Sequence, residues 1–250
     1  MEWNLINTGF NTGFFNMRFD MDLALACKAN EAYFRLYRWD PFCISLGANQ
    51  KYEDINSERA ADDGIDVVKR PTGGRAILHA EEITYSVVYP LNGGLTPSEI
   101  YRKISIAIAG GLTIYNSELK NVELENIQQD FIGLLKEPQG LACFAGTAKS
   151  EVKWNGMKLV GSAQRKMDKI ILQHGSILCG NYHLKIVDYL NLPEKEIQTV
   201  KEHLRKKTID LESILNIPTD YEKLSLALIE GFEKEWNIEL LGKAEIKGEL

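Results

Sequence analysis

The sequence is short of cysteine, and the cysteines it has are scattered. Cys27, Cys43, Cys143 and Cys179 are the only four in 250 residues, with no CxxC pair and no histidine at ligand spacing from two of them. No metal site or disulfide framework is expected, and reduced thiols fit a cytoplasmic protein. Proline is also scarce, at seven, and no Ser- or Pro-rich linker or internal repeat breaks the chain, which excludes low-complexity and disordered classes. After Met1 there is no basic segment leading into an apolar block, and no run approaches the roughly eighteen apolar residues of a membrane helix. Positive charge is not in excess either. The formal net charge is −6, so the molecule as a whole repels polyanions, and neither nucleic acid nor membrane is expected as a partner. A monomer is the default.

What is present is ordinary globular material, 44% hydrophobic and 26% charged. At this length a chain buries about three-quarters of its unfolded surface and needs no covalent staple. Two helix starts read as capping boxes: Thr96 with Glu99, followed by Ile100, Ile104, Ile108 and Leu112, and Thr219 with Glu222, followed by Leu224, Leu228, Phe232 and Trp236. Asn16 to Asn30 and Glu194 to Lys207 are further expected helices. Strands are expected at Tyr33 to Trp39, Cys43 to Leu46, Asp66 to Lys69, Ala76 to His79, Ile83 to Tyr89, Val152 to Trp154, Lys158 to Gln164 and Lys169 to Ile177, with Asn155-Gly156 as a two-residue hairpin turn. The fold class that follows is α+β, or α/β with a mixed, largely antiparallel sheet and helices packed on it. The expected division is a catalytic domain over 1–180 and a helical C-terminal extension over 181–250 packed on the same domain, with the break near Asn181 to Pro193.

Three segments could carry chemistry. Arg70-Pro71-Thr72-Gly73-Gly74-Arg75 sits between strands, not ahead of a helix, so it is neither a P-loop nor a dinucleotide fingerprint. Its glycines let backbone approach a ligand, and Arg70 and Arg75 offer planar donors for phosphate or carboxylate; a plain turn with two solvated arginines is the alternative. His79 alone reads as a satisfied structural histidine. Lys158 lies between apolar residues on the second hairpin arm, where it must be paired or used, unless it points to water from an edge strand. Gly161-Ser162-Ala163 beyond it suits a narrow ligand passage, and His174 closes the next strand. Cys143, in Leu141-Ala142-Cys143-Phe144, is on neither a clear helix nor a clear strand. It is either a nucleophile held as thiolate by a nearby cation or a small apolar filler.

Taken in order, Arg70-Pro71-Thr72-Gly73-Gly74-Arg75-Ala76-Ile77-Leu78-His79 and Glu82-Ile83-Thr84-Tyr85-Ser86-Val87-Val88 resemble the biotin/lipoate protein ligase superfamily. Asn16-Met17 with Asp20, Arg35-Leu36-Tyr37-Arg38-Trp39, Ser45-Leu46-Gly47 with Gln50, and Lys158-Leu159-Val160-Gly161-Ser162-Ala163-Gln164 look like its lipoate branch. Within that branch, Arg75 and His79-Ala80-Glu81-Glu82, and Ala142-Cys143-Phe144 with Glu151 eight residues on, are similar to cysteine-dependent octanoyltransferases found in many Gram-positive bacteria. The stretch Ala145 to Ser150 lacks the Pro-Ser and Tyr of that type. The end at Leu250, without a ligase accessory domain, points the same way.

The resemblance implies transfer of an octanoyl or lipoyl group from acyl carrier protein, through a Cys143 thioester, to a lysine of a lipoyl-domain protein. The acceptor would be the glycine-cleavage H protein or a 2-oxoacid dehydrogenase subunit. Lys158 would favour the thiolate, stabilise the oxyanion and relay a proton. Arg70, Gly73, Gly74, Arg75, His79, Gly161, Ser162, Ala163 and His174 would bind substrate. No cofactor is needed for thioester exchange. At about 0.8 kcal/mol per CH₂, the seven carbons beyond the carbonyl contribute roughly 5 kcal/mol, so a long apolar slot is expected. Docking of acidic partners needs a basic patch, from Lys149, Lys153, Arg165 and Lys166, or from His203 to Lys207, whose alternative is a solvated helix face. The competing readings are an ATP- and Mg-dependent lipoate ligase and a non-catalytic carrier-binding subunit.

Overall fold

A computed structural model describes residues 1–92, 94–125 and 151–242. Cys143 and Lys149 therefore lie outside the described residues. Strand β1 (Glu2–Asn11) leads into helix α1 (Gly13–Ala26), which Thr12 caps by accepting from the Phe15 amide. Strand β2 (Glu31–Trp39) then returns parallel to β1, and β3 (Cys43–Leu46), the short helix α2 (Ser57–Asp62), β4 (Asp66–Lys69), β5 (Ile77–His79) and β6 (Glu82–Pro90) follow. The long helix α3 (Pro97–Tyr115) carries the Thr96/Glu99 capping box that its sequence predicts. After β7 (Val122–Leu124) come β8 (Val152–Trp154), β9 (Met157–Lys158), β10 (Val160–Met167) and β11 (Ile170–Leu178). The described chain closes with a 3-10 segment at Tyr182–Tyr189 and helices α4 (Glu194–Lys207), α5 (Leu211–Leu215) and α6 (Tyr221–Trp236).

These elements form a five-stranded mixed sheet in the order β1-β2-β6-β11-β10, and two three-stranded sheets, β4-β3-β5 and β7-β8-β9. The α+β expectation holds. Among the described residues, only β1 with β2 and β3 with β4 are parallel strand pairs. Asn155 and Gly156 both take positive φ, as a hairpin turn with the strands' own twist demands.

One face of the large sheet is apolar. Phe34, Leu36, Ile83, Tyr85 and Val87 pack there against Ile104, Ile108 and Leu112 of α3 and Leu224, Leu228 and Phe232 of α6. Helices α3 and α6 cross at Gly111 and Gly231, where a Cβ on Gly231 would lie 2.4 Å from the Gly111 nitrogen. A second core joins Ile44, Leu46, Ile77 and Leu78 to Ile186, Val187 and Tyr189 of the 3-10 segment and to Val200 and Leu204 of α4.

Four expectations need correction. β1 occupies a stretch to which no element is assigned from sequence. Helix α1 ends at Ala26, short of Asn30, and the Lys158 strand divides at Leu159 into β9 and β10. Asp220, not Thr219, caps α6, accepting from the Lys223 amide, while the Thr219 amide donates to Glu212. Asp220 is itself a preferred cap residue, and its carboxylate takes the Lys223 amide where the box would have taken that of Glu222.

Candidate active site

The two faces of the large sheet differ because strand residues alternate. Between the apolar positions of β2, β6 and β11 stand Arg35, Tyr37, Thr84, Ser86, His174 and Ser176, all buried, facing α1 and the small sheet. Helix α1 answers with the buried polar residues Asn16 and Asp20. Arg35 donates to Asp20 Oδ1 at 2.8 Å and to Asn16 Oδ1 at 2.6 Å. Tyr37 and Ser86 donate to the same Asp20 carboxylate. Burial acts to raise the Asp20 carboxyl, but the Arg35 guanidinium and the His174 ring hold it below its usual range. Burial pushes the Tyr37 hydroxyl well up and the His174 ring down.

Between this polar face and the small sheet lies a cavity of about 20 Å³, bounded by Met17, Tyr37, Trp39, Ser45, Ile77 and His79 on one side. Arg70, Gly161, Ser162, Ala163 and His174 complete much of its wall. The structure thus brings together Arg70, His79, Gly161, Ser162, Ala163 and His174 from three separate parts of the sequence. Gly73, Gly74 and Arg75 are not among its lining residues. The expected long slot is instead narrow, with room for about one or two waters. Met17 and Arg70 also line a surface groove of about 730 Å³, together with Phe14, Met21, Val68 and Pro71.

His79 stacks on Trp39 at 4.0 Å and bonds through both ring nitrogens, to Ser45 Oγ at 2.7 Å and Glu82 Oε1 at 2.8 Å. This is the satisfied histidine of the plain reading, placed on the cavity wall. Burial would raise the Glu82 carboxyl, and the adjoining His79 holds it low. His174 Nε2 meets Thr72 Oγ1 at 2.6 Å, while its Nδ1 stands 3.5 Å from Asp20 Oδ2. Thr72, unremarked in sequence, thereby ties the Arg70–Arg75 turn to β11.

Arg70 is not a solvated arginine. It is buried, and its guanidinium donates to the carbonyls of Ser45, Gly73 and Arg75 and to Ser45 Oγ. It shapes the turn from within. Gly74 has φ 96°, and its carbonyl lies where a Cβ on Gly47 would be, 2.0 Å away, so the turn and the end of β3 touch backbone to backbone.

Lys158 does not point to water. It is 2% exposed, its ammonium 2.8 Å from the Glu151 carboxylate, itself 3% exposed. Strand β9 is no open edge, because it pairs with β8 and Lys158 bridges to Thr208. Glu151 supplies the opposite charge that offsets the desolvation of a buried ammonium. Lys158 stands three residues ahead of Gly161 on the cavity wall. Across the same strands, Tyr85 shares hydrogen bonds with Ser162 Oγ at 2.6 Å and Gln173 at 3.1 Å.

The described cysteines are poor thiolates. Burial raises Cys43 and Cys179 strongly, and burial with the nearby Glu31 carries Cys27 to about 11. Of the expected basic patch, Lys153 is paired with Glu125 and so is not free for a partner. Arg165 and Lys166 are exposed, Arg165 donating to the Pro71 carbonyl at 2.8 Å. Arg205, Lys206 and Lys207 fall in the last turn of α4, where they complement the helix dipole as a solvated face does. No helix among the described residues is long and apolar enough to cross a membrane.

The family profile of the lipoyl protein ligase A/B catalytic domain matches residues 12–233. The chain is similar to octanoyltransferase LipM of Kyrpidia tusciae, 34% identical, covering 99% of this chain and 90% of that protein. It is also similar to octanoyltransferase LipM of Clostridioides difficile, 31% identical over 96% of this chain and 89% of that one. Among solved structures, a lipoate-protein ligase A bound with ATP superposes with TM-score 0.76 at 17% identity, covering 100% of this chain and 90% of that one. A bi-partite lipoate protein ligase from Thermoplasma acidophilum gives 0.77 at 17% identity, with 100% and 88% covered. At such identities the structures speak for the fold.

Proposed function

Since the chain belongs to the lipoyl protein ligase A/B catalytic-domain family, we propose that it is an acyltransferase of protein lipoylation. It moves an octanoyl or lipoyl group to a lysine of a lipoyl-domain protein. The observation that carries this reading is the buried Lys158–Glu151 pair, on a chain segment that runs on within three residues into Gly161 to Ala163 on the wall of a narrow cavity. The octanoyltransferase relatives support the acyl group and the reaction class.

The donor is octanoyl-acyl carrier protein. The Cys143 thiolate attacks the thioester carbonyl, a new C–S bond forms, the carrier's C–S bond breaks, and the carrier thiolate leaves to take up a proton. The acceptor amine then attacks the Cys143 thioester. An amide forms, its proton passes to the Lys158–Glu151 pair, and the Cys143 thiolate is expelled ready for another cycle. Lys158 offers the positive charge that favours both the thiolate and the tetrahedral oxyanion. The raised thiols of Cys27, Cys43 and Cys179 argue against those three as the nucleophile. Thioester exchange needs no ATP, metal or other cofactor. Acceptors of either class, the glycine-cleavage H protein or a 2-oxoacid dehydrogenase subunit, present the same amine.

Intact-mass measurement after mixing with octanoyl-acyl carrier protein tests this. One octanoyl adduct is expected, absent from Cys143→Ala and discharged by a lipoyl domain. Modification of the lipoyl domain that needs ATP and survives Cys143→Ala would overturn the transferase in favour of a ligase. Tight carrier binding without any adduct would leave only a binding subunit.

A further inference from the structure

Helix α1 inverts the polarity of an ordinary surface helix. Its inner face carries the buried polar residues Asn16 and Asp20, whereas Phe14, Arg18, Met21 and Leu25 recur at the spacing of one outward stripe. Phe14 is 71% exposed and Leu25 72%. The Arg35, Tyr37 and Ser86 hydrogen bonds explain the polar inner face. The apolar outer stripe is what a partner's surface would cover.

Beside that stripe lies the groove of about 730 Å³, with Phe14, Arg18 and Met21 in its wall. Four cations line it, Arg18, Lys69, Arg70 and Arg165, against a single anion, Asp66, among the described residues. Asp66 accepts from the Gly13 amide at 3.2 Å. The Arg18–Asp22 pair is an exposed one that another anion displaces at little cost. On a chain of net charge −6 this is a local reversal of sign. Arg70 lines the internal cavity too, so the groove adjoins the candidate site.

The transferase reading supplies two protein partners, and the charge of the groove chooses between them. The acceptor presents a lysine, a cation that the groove repels. The donor is an acidic protein whose acyl group hangs from a phosphopantetheine arm, and the phosphodiester of that arm is an anion on a slender chain. A bilayer surface is too flat to enter the groove. We propose that the α1 stripe and its groove are the docking surface for the acyl carrier protein. The stripe takes apolar contacts at the carrier's surface, and the cations of the groove take the phosphodiester of the arm. The identity of the partner rests on the transferase reading above.

Binding titrations test the surface. Octanoyl-acyl carrier protein, the same carrier without its arm, a lipoyl domain and phosphatidylglycerol vesicles are each titrated into wild type and three double variants. These are Arg18→Glu with Lys69→Glu, Phe14→Ser with Leu25→Ser, and Lys206→Glu with Lys207→Glu on α4 as a control of equal charge. Arg165 is left intact because it also holds the Pro71 carbonyl. The Arg18/Lys69 variant is expected to bind octanoylated carrier about tenfold more weakly, the Phe14/Leu25 variant about fivefold, and the control within about twofold of wild type. The armless carrier should respond to the Phe14/Leu25 variant only, and lipoyl-domain affinity should hold in all three. Carrier binding that responds in this way, with no octanoyl adduct on the wild type, would sink the transferase and keep the docking surface. No carrier binding by wild type, unchanged affinity in the folded variants, or an equal loss in the control overturns it. So does a Arg18/Lys69 effect of equal size on the armless carrier, a loss confined to the lipoyl domain, or vesicle binding in place of carrier binding.

Discussion

Lys158 and Glu151 place opposite charges side by side in the interior, and each is there on condition of the other. Removing one partner leaves a buried charge without its counter-charge, which costs about 3–5 kcal/mol, whereas replacing both with apolar groups is near neutral. Lys158→Met alone should therefore lower stability in urea by that amount, and Lys158→Met with Glu151→Leu should recover most of it. Neither should transfer an acyl group. This pair separates what sequence can say from what it cannot. The apolar neighbours of Lys158 show that its strand is buried, but whether a lysine there faces water or a carboxylate depends on a partner seven residues away across a hairpin register. Thr72 and Ser86 escaped for a related reason, and Asp20 entered only through the resemblance. Each is an ordinary polar residue in its own window and becomes informative only once burial is known, Asp20 on α1, Ser86 on β6 and Thr72 in the turn before β5. Strand alternation is visible in Glu82-Ile83-Thr84-Tyr85-Ser86-Val87 to a reader who asks where Thr84 and Ser86 point.

At the level of elements, local chemistry decided most boundaries. The Thr96 box is read correctly because both partners lie within four residues. Thr96→Ala should cost about 1 kcal/mol, measurable by thermal unfolding. Helix α6 shows the limit: two adjacent capping residues compete, and the choice of Asp220 is set by Glu212 taking the Thr219 amide. The α3–α6 crossing is not local at all. Gly111 and Gly231 are 120 positions apart and meet backbone to backbone, so Gly231→Ala should destabilise by about 1–3 kcal/mol while Gly110→Ala, with open space about it, should not. β1 escaped because an N-terminal strand that pairs in parallel announces itself through a partner beyond an intervening helix.

For the molecule as a whole, burial of ionisable groups sets the response to acid. His174 and His183 are both pushed below their usual 6.5 by burial, so the unfolded chain takes up their protons first. Stability that they contribute is complete above about 6.5 and is lost as pH falls below it, by up to about 1.4 kcal/mol per pH unit for each. Asp20 and Glu82, held low, add a second loss in more acid solution, below the ordinary carboxylate range. The urea midpoint should fall between pH 7 and 5, and His174→Gln should roughly halve that slope. The cysteines carry a consequence of another kind. Cys27, Cys43 and Cys179 sit as reluctant sulfhydryls at neutral pH, so under the proposed mechanism an alkylating reagent applied briefly to the native enzyme should label position 143. Its uptake, close to one equivalent per chain and blocked by prior acylation, would count working centres in any preparation.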